Sequence, residues 1–154
     1  MTELTIAIED PAAEDITALL STHLAFMDRD TPDGSGHALN VDALRARDVT
    51  FWAARYESRL AGCVALKRSE DAAGEVKSMH TAEAFRGRGV ARALLEALQA
   101  QAIRDGLRSL ALETGKSESF EPSRRLYRRF GFEPCAPFGD YVDDPFSYCM
   151  RKAL

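Results

Sequence analysis

At 154 residues the chain has the length of one domain, residues 1–154, enough to bury a real core and too little for two. Apolar residues make up 45% and charged ones 29%, ordinary globular proportions. Twenty basic against 24 acidic side chains give a net charge of -4, which offers no general pull on nucleic acid or an anionic membrane, so any basic site must be local.

No apolar run approaches the ~20 residues of a spanning helix. The start Met1-Thr2-Glu3-Leu4 lacks the charged and apolar regions of a signal peptide, so a cytoplasmic protein is expected. Cys63, Cys135 and Cys149 are widely spaced and form no C-x-x-C pair, and the first and last sit in apolar runs that suit buried thiols. His23, His37 and His80 show no metal-binding spacing, so no metal is expected.

Leu4-Thr5-Ile6-Ala7-Ile8 alternates as a half-buried strand does, and Asp10-Pro11 ends it. From Glu14 to Met27 the positions Ile16, Leu19, Leu20, Leu24 and Met27 recur at helical spacing, with His23 at the edge of that face. Asp28 to His37, carrying Pro32, Gly34 and Gly36, reads as a loop or lid, and a short helix over Asn40–Arg47 follows. Val49–Tyr56 and Leu60–Lys67 read as a hairpin around Glu57-Ser58-Arg59, the second strand apolar almost throughout and therefore central. Ser69–Gly74 is a turn, and Val76–Thr81 a strand that feeds a glycine-rich turn.

That turn, Arg86-Gly87-Arg88-Gly89-Val90-Ala91, stands where a strand gives way to a long helix with the stripe Val90, Leu94, Leu98 and Ala102, ended by Gly106. Two glycines let the backbone turn and approach a ligand closely, while the helix behind them aims free N–H groups and its positive end at an anion such as a diphosphate. A dinucleotide fingerprint would need Gly or Ala where Arg92 stands, and no G-K-[ST] follows to make a P-loop. Leu107–Glu113 is a strand, Glu121–Phe130 a short helix stopped by Gly131, and Phe132–Ala136 and Ser147–Arg151 are closing strands around an aromatic, acidic loop. The order βααβββαβαββ is an α/β layout.

Arg86-x-x-Gly89-x-Ala91 matches the [QR]-x-x-G-x-[GA] pyrophosphate signature of the GNAT superfamily of acyl-CoA-dependent N-acyltransferases, and Leu126-Tyr127-x-x-x-Gly131-Phe132 resembles its second signature. The stretches Leu112-Glu113-Thr114-Gly115 and Pro137-Phe138-Gly139-Asp140-Tyr141 further resemble a bacterial branch of small members. The resemblance covers essentially the whole chain. It implies a mixed, mostly antiparallel sheet of about seven strands flanked by about four helices, two strands splaying into a V-shaped acyl-CoA cleft. It also implies an N-acetyltransferase that moves the acetyl group of acetyl-CoA, without a metal, to a primary amine in a ternary complex; the alternative is a silent coenzyme-binding module.

Carried over, the family pattern lays the coenzyme A pyrophosphate on the amides of Arg86, Gly87, Arg88, Gly89, Val90 and Ala91, and the pantetheine arm beside Met79-His80-Thr81. An N–H near Met79 or His80 would polarise the thioester carbonyl. Tyr127 takes the acid position, and Glu75, on one strand face with Lys77, that of a base. His80 is the second candidate base, and water the third. Arg124 or Arg128 would approach the adenosine 3′-phosphate, and Phe120 stands where many relatives carry an asparagine that contacts coenzyme A. The Arg124-Arg125-x-x-Arg128-Arg129 cluster otherwise reads as a solvated helix face, with no nucleic-acid partner. The acceptor, a small amine, amino acid or peptide, would lie between the first helix with the Asp28–His37 loop and the loop bearing Phe138, Asp140, Tyr141, Asp143 and Asp144. Relatives are often dimers, so a homodimer is also an expectation.

Overall fold

The computed structural model describes residues 3–29 and 40–154, and for residues 28 and 29 the backbone alone. One seven-stranded sheet runs through it: β1 (Leu4–Ile8), β2 (Val49–Tyr56), β3 (Arg59–Ser69), β4 (Ala73–Thr81), β5 (Ser109–Gly115), β6 (Glu133–Pro134) and β7 (Ser147–Ala153), in the spatial order β1-β2-β3-β4-β5-β7-β6. Every pairing is antiparallel except β4 with β5. The helices are α1 (Glu14–Arg29), α2 (Val41–Leu44), α3 (Val90–Arg104) and α4 (Glu121–Arg129). The expected mixed, mostly antiparallel sheet of seven strands with four helices is therefore present. Among the described residues no helix is long and apolar enough to cross a membrane.

Two apolar clusters sandwich the sheet. Val90, Leu94, Leu95, Leu98 and Ala102 of α3 meet Val64, Leu66, Val76, Leu110, Leu112 and Phe132 on one face. Ile16, Leu19 and Leu20 of α1 meet Phe51, Ala53, Cys63 and Ala65 on the other. β3 supplies residues to both clusters, so both of its faces are covered, as its unbroken apolar run foretold.

Boundaries moved by a few residues where hydrogen bonding outran the apolar pattern. β4 begins at Ala73, inside the expected turn, because Asp71 and Ala72 at φ 64 and 56 turn the chain tightly enough for pairing to start at once. The short helix is only Val41–Leu44, capped by Asn40, whose Oδ1 accepts from the Ala43 N–H at 2.9 Å. The strand expected over Phe132–Ala136 is two residues long, and its Pro134 has no N–H to extend a ladder. His23, expected at a face edge, is buried with 7% of its surface exposed. The loop from Asp30 to His37 lies outside the described residues.

Candidate active site

The parallel pair β4 and β5 is joined only at its start, where Ala73, Gly74 and Glu75 face Ser109, Leu110 and Ala111. Beyond that the strands part, and a cavity of about 660 Å3 lies between Val76–Thr81 and Leu112–Thr114, walled at its far end by α3 and α4. Ligands of open parallel sheets lodge in such a crevice beyond the carboxyl ends of diverging strands.

The phase of β4 changes within this crevice. Lys77 pairs with Ala65 and His80 with Cys63, so two residues of β4 stand against Val64 alone. Ser78 carries the bulge at φ 54. Without it strict alternation would send His80 to the α3 side; with it, His80 joins Glu75 and Lys77 on the α1 side, while Met79 packs against the α3 cluster.

At the head of α3 the loop turns through Gly87 and Gly89, both left-handed with φ 76 and 78. Nothing lies within 4 Å of where a Cβ would stand on either, so the backbone there faces open space. Arg86 through Gly89 are exposed, and Arg86, Gly87, Gly89, Val90 and Ala91 line the cleft with the N–H groups of a helix start. An elongated group with a diphosphate fits this loop. Arg88 turns away, its guanidinium 5.5 Å from the centre of the Phe85 ring.

The second signature is a helix cap. Gly131, at φ 104, gives its N–H to the Arg128 carbonyl at 3.1 Å, and Phe132 gives its own to Tyr127 at 3.0 Å. These are the two reverse bonds of a Schellman motif, with the Phe132 ring edge-on to Tyr127 at 5.9 Å as the accompanying apolar contact. Glycine and phenylalanine thus fix the tyrosine four positions before that glycine. Tyr127 is 6% exposed and lines the cleft, and burial pushes its phenol upward, so it holds its proton through the neutral range.

On the α1 side the cleft is polar. Lys77 Nζ lies 3.0 Å from Glu75 Oε2 and 2.6 Å from the Tyr141 hydroxyl, and that hydroxyl also donates to Glu75. Glu113 of β5 lines the same region, and burial raises its carboxyl to about 7, with Glu75 and Asp144 adding to the effect and Lys77 opposing it. His23 and His80 meet through their Nδ1 atoms at 3.1 Å, so one ring donates and the other accepts. Burial brings both imidazoles down to about 4. His80 Nε2 is buried and has no hydrogen-bond partner among the described residues.

Of the residues singled out from sequence, Met79, His80, Thr81, Arg86, Gly87, Gly89, Val90, Ala91 and Tyr127 are brought together around the cleft; Glu75, Arg88 and Arg124 do not line it. Arg124 points inward: its Nη1 bonds the carbonyls of Gly115 at 2.5 Å and Ser117 at 3.0 Å, and Glu121 takes its other nitrogens. Buried carbonyls need donors, and this guanidinium supplies them instead of a free cation for a phosphate. Arg128 is likewise paired with Glu121, at 2.9 Å. Besides Arg86, Arg92 and Arg129 line the cleft near the loop, a placement that spacing alone did not separate from their neighbours. Phe120 closes against Gly115 and Phe26, its ring 5.2 Å from that of Phe26. Tyr141, expected around the acceptor, lines the cleft, as does Phe26 of the first helix. Nothing in the sequence separates Glu113 from an exposed strand carboxylate, because its burial depends on β4, β7 and the Tyr141 loop closing round it.

A splayed parallel pair, a glycine-turned helix start between it and solvent, and a buried tyrosine on the wall define an acyl-coenzyme A transferase architecture. The sequence model of the acetyltransferase (GNAT) family matches residues 16–132, and the chain belongs to that family. It is 42% identical over 149 residues to the N-acetyltransferase YsnE of Bacillus subtilis, covering 97% of this chain and 99% of that one. An acyl-CoA N-acyltransferase from Klebsiella pneumoniae has the same fold at a TM-score of 0.80 and 30% identity, over 98% of this chain and 97% of that one. A Bacillus subtilis acetyltransferase solved in complex with CoA superposes at 0.74 with 17% identity, over 99% of each chain. The protein is an N-acetyltransferase with acetyl-CoA as cosubstrate.

Proposed function

We propose that the chain transfers the acetyl group of acetyl-CoA to a primary amine of a small molecule, by direct attack while both substrates occupy the cleft. The observation that carries this reading is the parting of β4 from β5 with the Gly87–Gly89 loop at one end and polar side chains at the other. The amides of Arg86 to Ala91 hold the pyrophosphate, with Arg86, Arg92 and Arg129 supplying charge nearby. The pantetheine arm lies along Met79–Thr81, where the bulge at Ser78 re-aims the backbone beside the thioester carbonyl.

Tyr127 gives its proton to the sulfur as the carbon–sulfur bond breaks, a role suited to a phenol that stays protonated. Glu75 accepts hydrogen bonds from both Lys77 and Tyr141, so its work is to hold those two side chains. His80, locked to His23 and kept neutral by burial, ties α1 to the floor of the acetyl site.

Thiol release from acetyl-CoA, followed against primary amines, amino acids and peptides with products identified by mass, tests the reading. Acetylation of at least one small amine, with kcat reduced 10²-fold or more in Tyr127→Phe, is expected. Acetylation confined to peptides, or an unaltered Tyr127→Phe enzyme, contradicts it.

A further inference from the structure

His80 follows the bulge at Ser78, beside the proposed path of the pantetheine arm. It is 7% exposed, as is His23, and both rings line the cleft. Its Nδ1 is taken by His23 Nδ1 at 3.1 Å. Nε2 is the polar atom left over, buried and without a hydrogen bond among the described residues. A buried nitrogen lacking a partner is costly, and in a substrate cleft a ligand can bring the missing partner.

Resting on the acetyl transfer and the path of the thioester proposed above, we infer that His80 is a catalytic residue of the oxyanion hole: its Nε2–H donates to the thioester carbonyl oxygen beside a backbone N–H of β4, and His23 is the positioning residue that holds the imidazole in that tautomer.

The bond between the two rings carries the tautomer. A contact between two Nδ1 atoms of neutral imidazoles holds one proton, so when His23 donates, His80 accepts at Nδ1 and its own proton sits on Nε2. The opposite arrangement would set a lone pair of Nε2 against a carbonyl oxygen that offers only lone pairs, so the thioester selects the donor form. The bulge at Ser78 is what brings the ring to its partner, since strict alternation would send His80 to the α3 side, away from α1. Burial keeps both imidazoles neutral, bringing them down to about 4, with Arg86 adding to the effect at His80. A nitrogen that binds a proton only in that range is too weak a base for an amine. A neutral imidazole is, however, a suitable donor to an oxygen that gains charge, because it keeps its proton.

Electrons and protons balance without a further base. The lone pair of the neutral amine forms the bond to the acetyl carbon, and the carbonyl π pair moves onto oxygen, where Nε2–H meets it. As that pair returns, the carbon–sulfur bond breaks and Tyr127 hands its proton to the departing sulfur. The proton that nitrogen sheds restores Tyr127, so the products are the acetamide and coenzyme A thiol, and His80 is unchanged.

Spectra of the full chain decide it. With acetyl-CoA labelled with 13C at the carbonyl and bound without an acceptor, the infrared carbonyl band should lie lower in wild type than in His80→Phe, with His80→Gln between them. Equal bands at saturating acetyl-CoA overturn the inference. The 15N spectrum of wild type with acetyl-CoA should show His80 Nε2 protonated, and an unprotonated Nε2 overturns it even if His80→Phe does not fold. With the best amine, His80→Phe should lower kcat about 10²-fold with the KM for acetyl-CoA nearly constant, and an unaltered kcat counts against the role. His23→Phe should lower kcat about tenfold and mix the His80 tautomers, while His23→Asn, which keeps an N–H donor, should recover most of the rate. If an amine is acetylated and the band ignores His80, the inference alone falls. If no amine is acetylated while the band depends on His80, the amine reading falls and the carbonyl contact stands.

Discussion

Tyr127 and Glu113 are two acids that their environments treat differently. Burial keeps the phenol protonated through the neutral range and brings the carboxyl to about 7. The second shift has a cost that stability measurements should expose. The folded state raises this carboxyl above its ordinary value of 4.5, so between about 4.5 and 7 the folded chain binds more protons than the unfolded one. Stability from this group is intact at low pH and declines as pH rises through that window. Glu113→Gln removes the buried charge, so it should be more stable than wild type above pH 7, by on the order of 1–2 kcal/mol after discounting for solvent. Near pH 4 the two should be equal. Chemical denaturation at both pH values checks this, and a variant destabilised at high pH would mean that the carboxylate is a structural ligand instead.

At the scale of elements, both signatures that carried the family resemblance prove to be helix ends. Arg86–Ala91 is the start of α3, turned by left-handed glycines. The Leu126–Phe132 stretch is the end of α4, where Gly131 and Phe132 close a Schellman cap over Tyr127. Replacing Gly131 with Ala forces a side chain into φ 104 and within 3.1 Å of Lys152 Cε, so a loss of about 1–2 kcal/mol is expected. Because the cap seats Tyr127, kcat should also fall severalfold with the KM for acetyl-CoA nearly constant. Denaturation curves and steady-state kinetics measure the two effects, and unchanged kcat would detach the cap from catalysis. The elements with strong periodicity, α1, α3, β2 and β3, were legible to within a few residues. The bulge at Ser78 was not, since nothing in Val76–Thr81 marks where pairing with β3 slips. That slip decides which face His80 occupies. The inward turn of Arg124 was hidden for a related reason: its four-arginine cluster looks uniform in sequence, and only the carbonyls at the end of β5 single one out.

In the whole molecule, α3 and α1 clamp opposite faces of one sheet, and the cleft exists because the sheet is unzipped between β4 and β5. Coenzyme binding at the α3 side should brace that gap. A ligand at ~100-fold its dissociation constant adds ~2.7 kcal/mol of stability, so coenzyme A at that excess should raise the melting temperature by several degrees, and no shift would argue against the cleft as its site. The glycine-turned head of α3 was legible in the sequence, because its glycines mark it locally. The polar end of the cleft is assembled from β4, β5, α1 and the Tyr141 loop, and no local pattern announces that Glu113, Lys77 and Tyr141 converge. The most direct test is a crystal structure of the chain with coenzyme A. The account predicts the pyrophosphate on the amides of Arg86 to Ala91, the pantetheine arm between β4 and β5 along Met79–Thr81, and the thiol beside Tyr127. Coenzyme A bound elsewhere, or a thiol directed away from Tyr127, would contradict it.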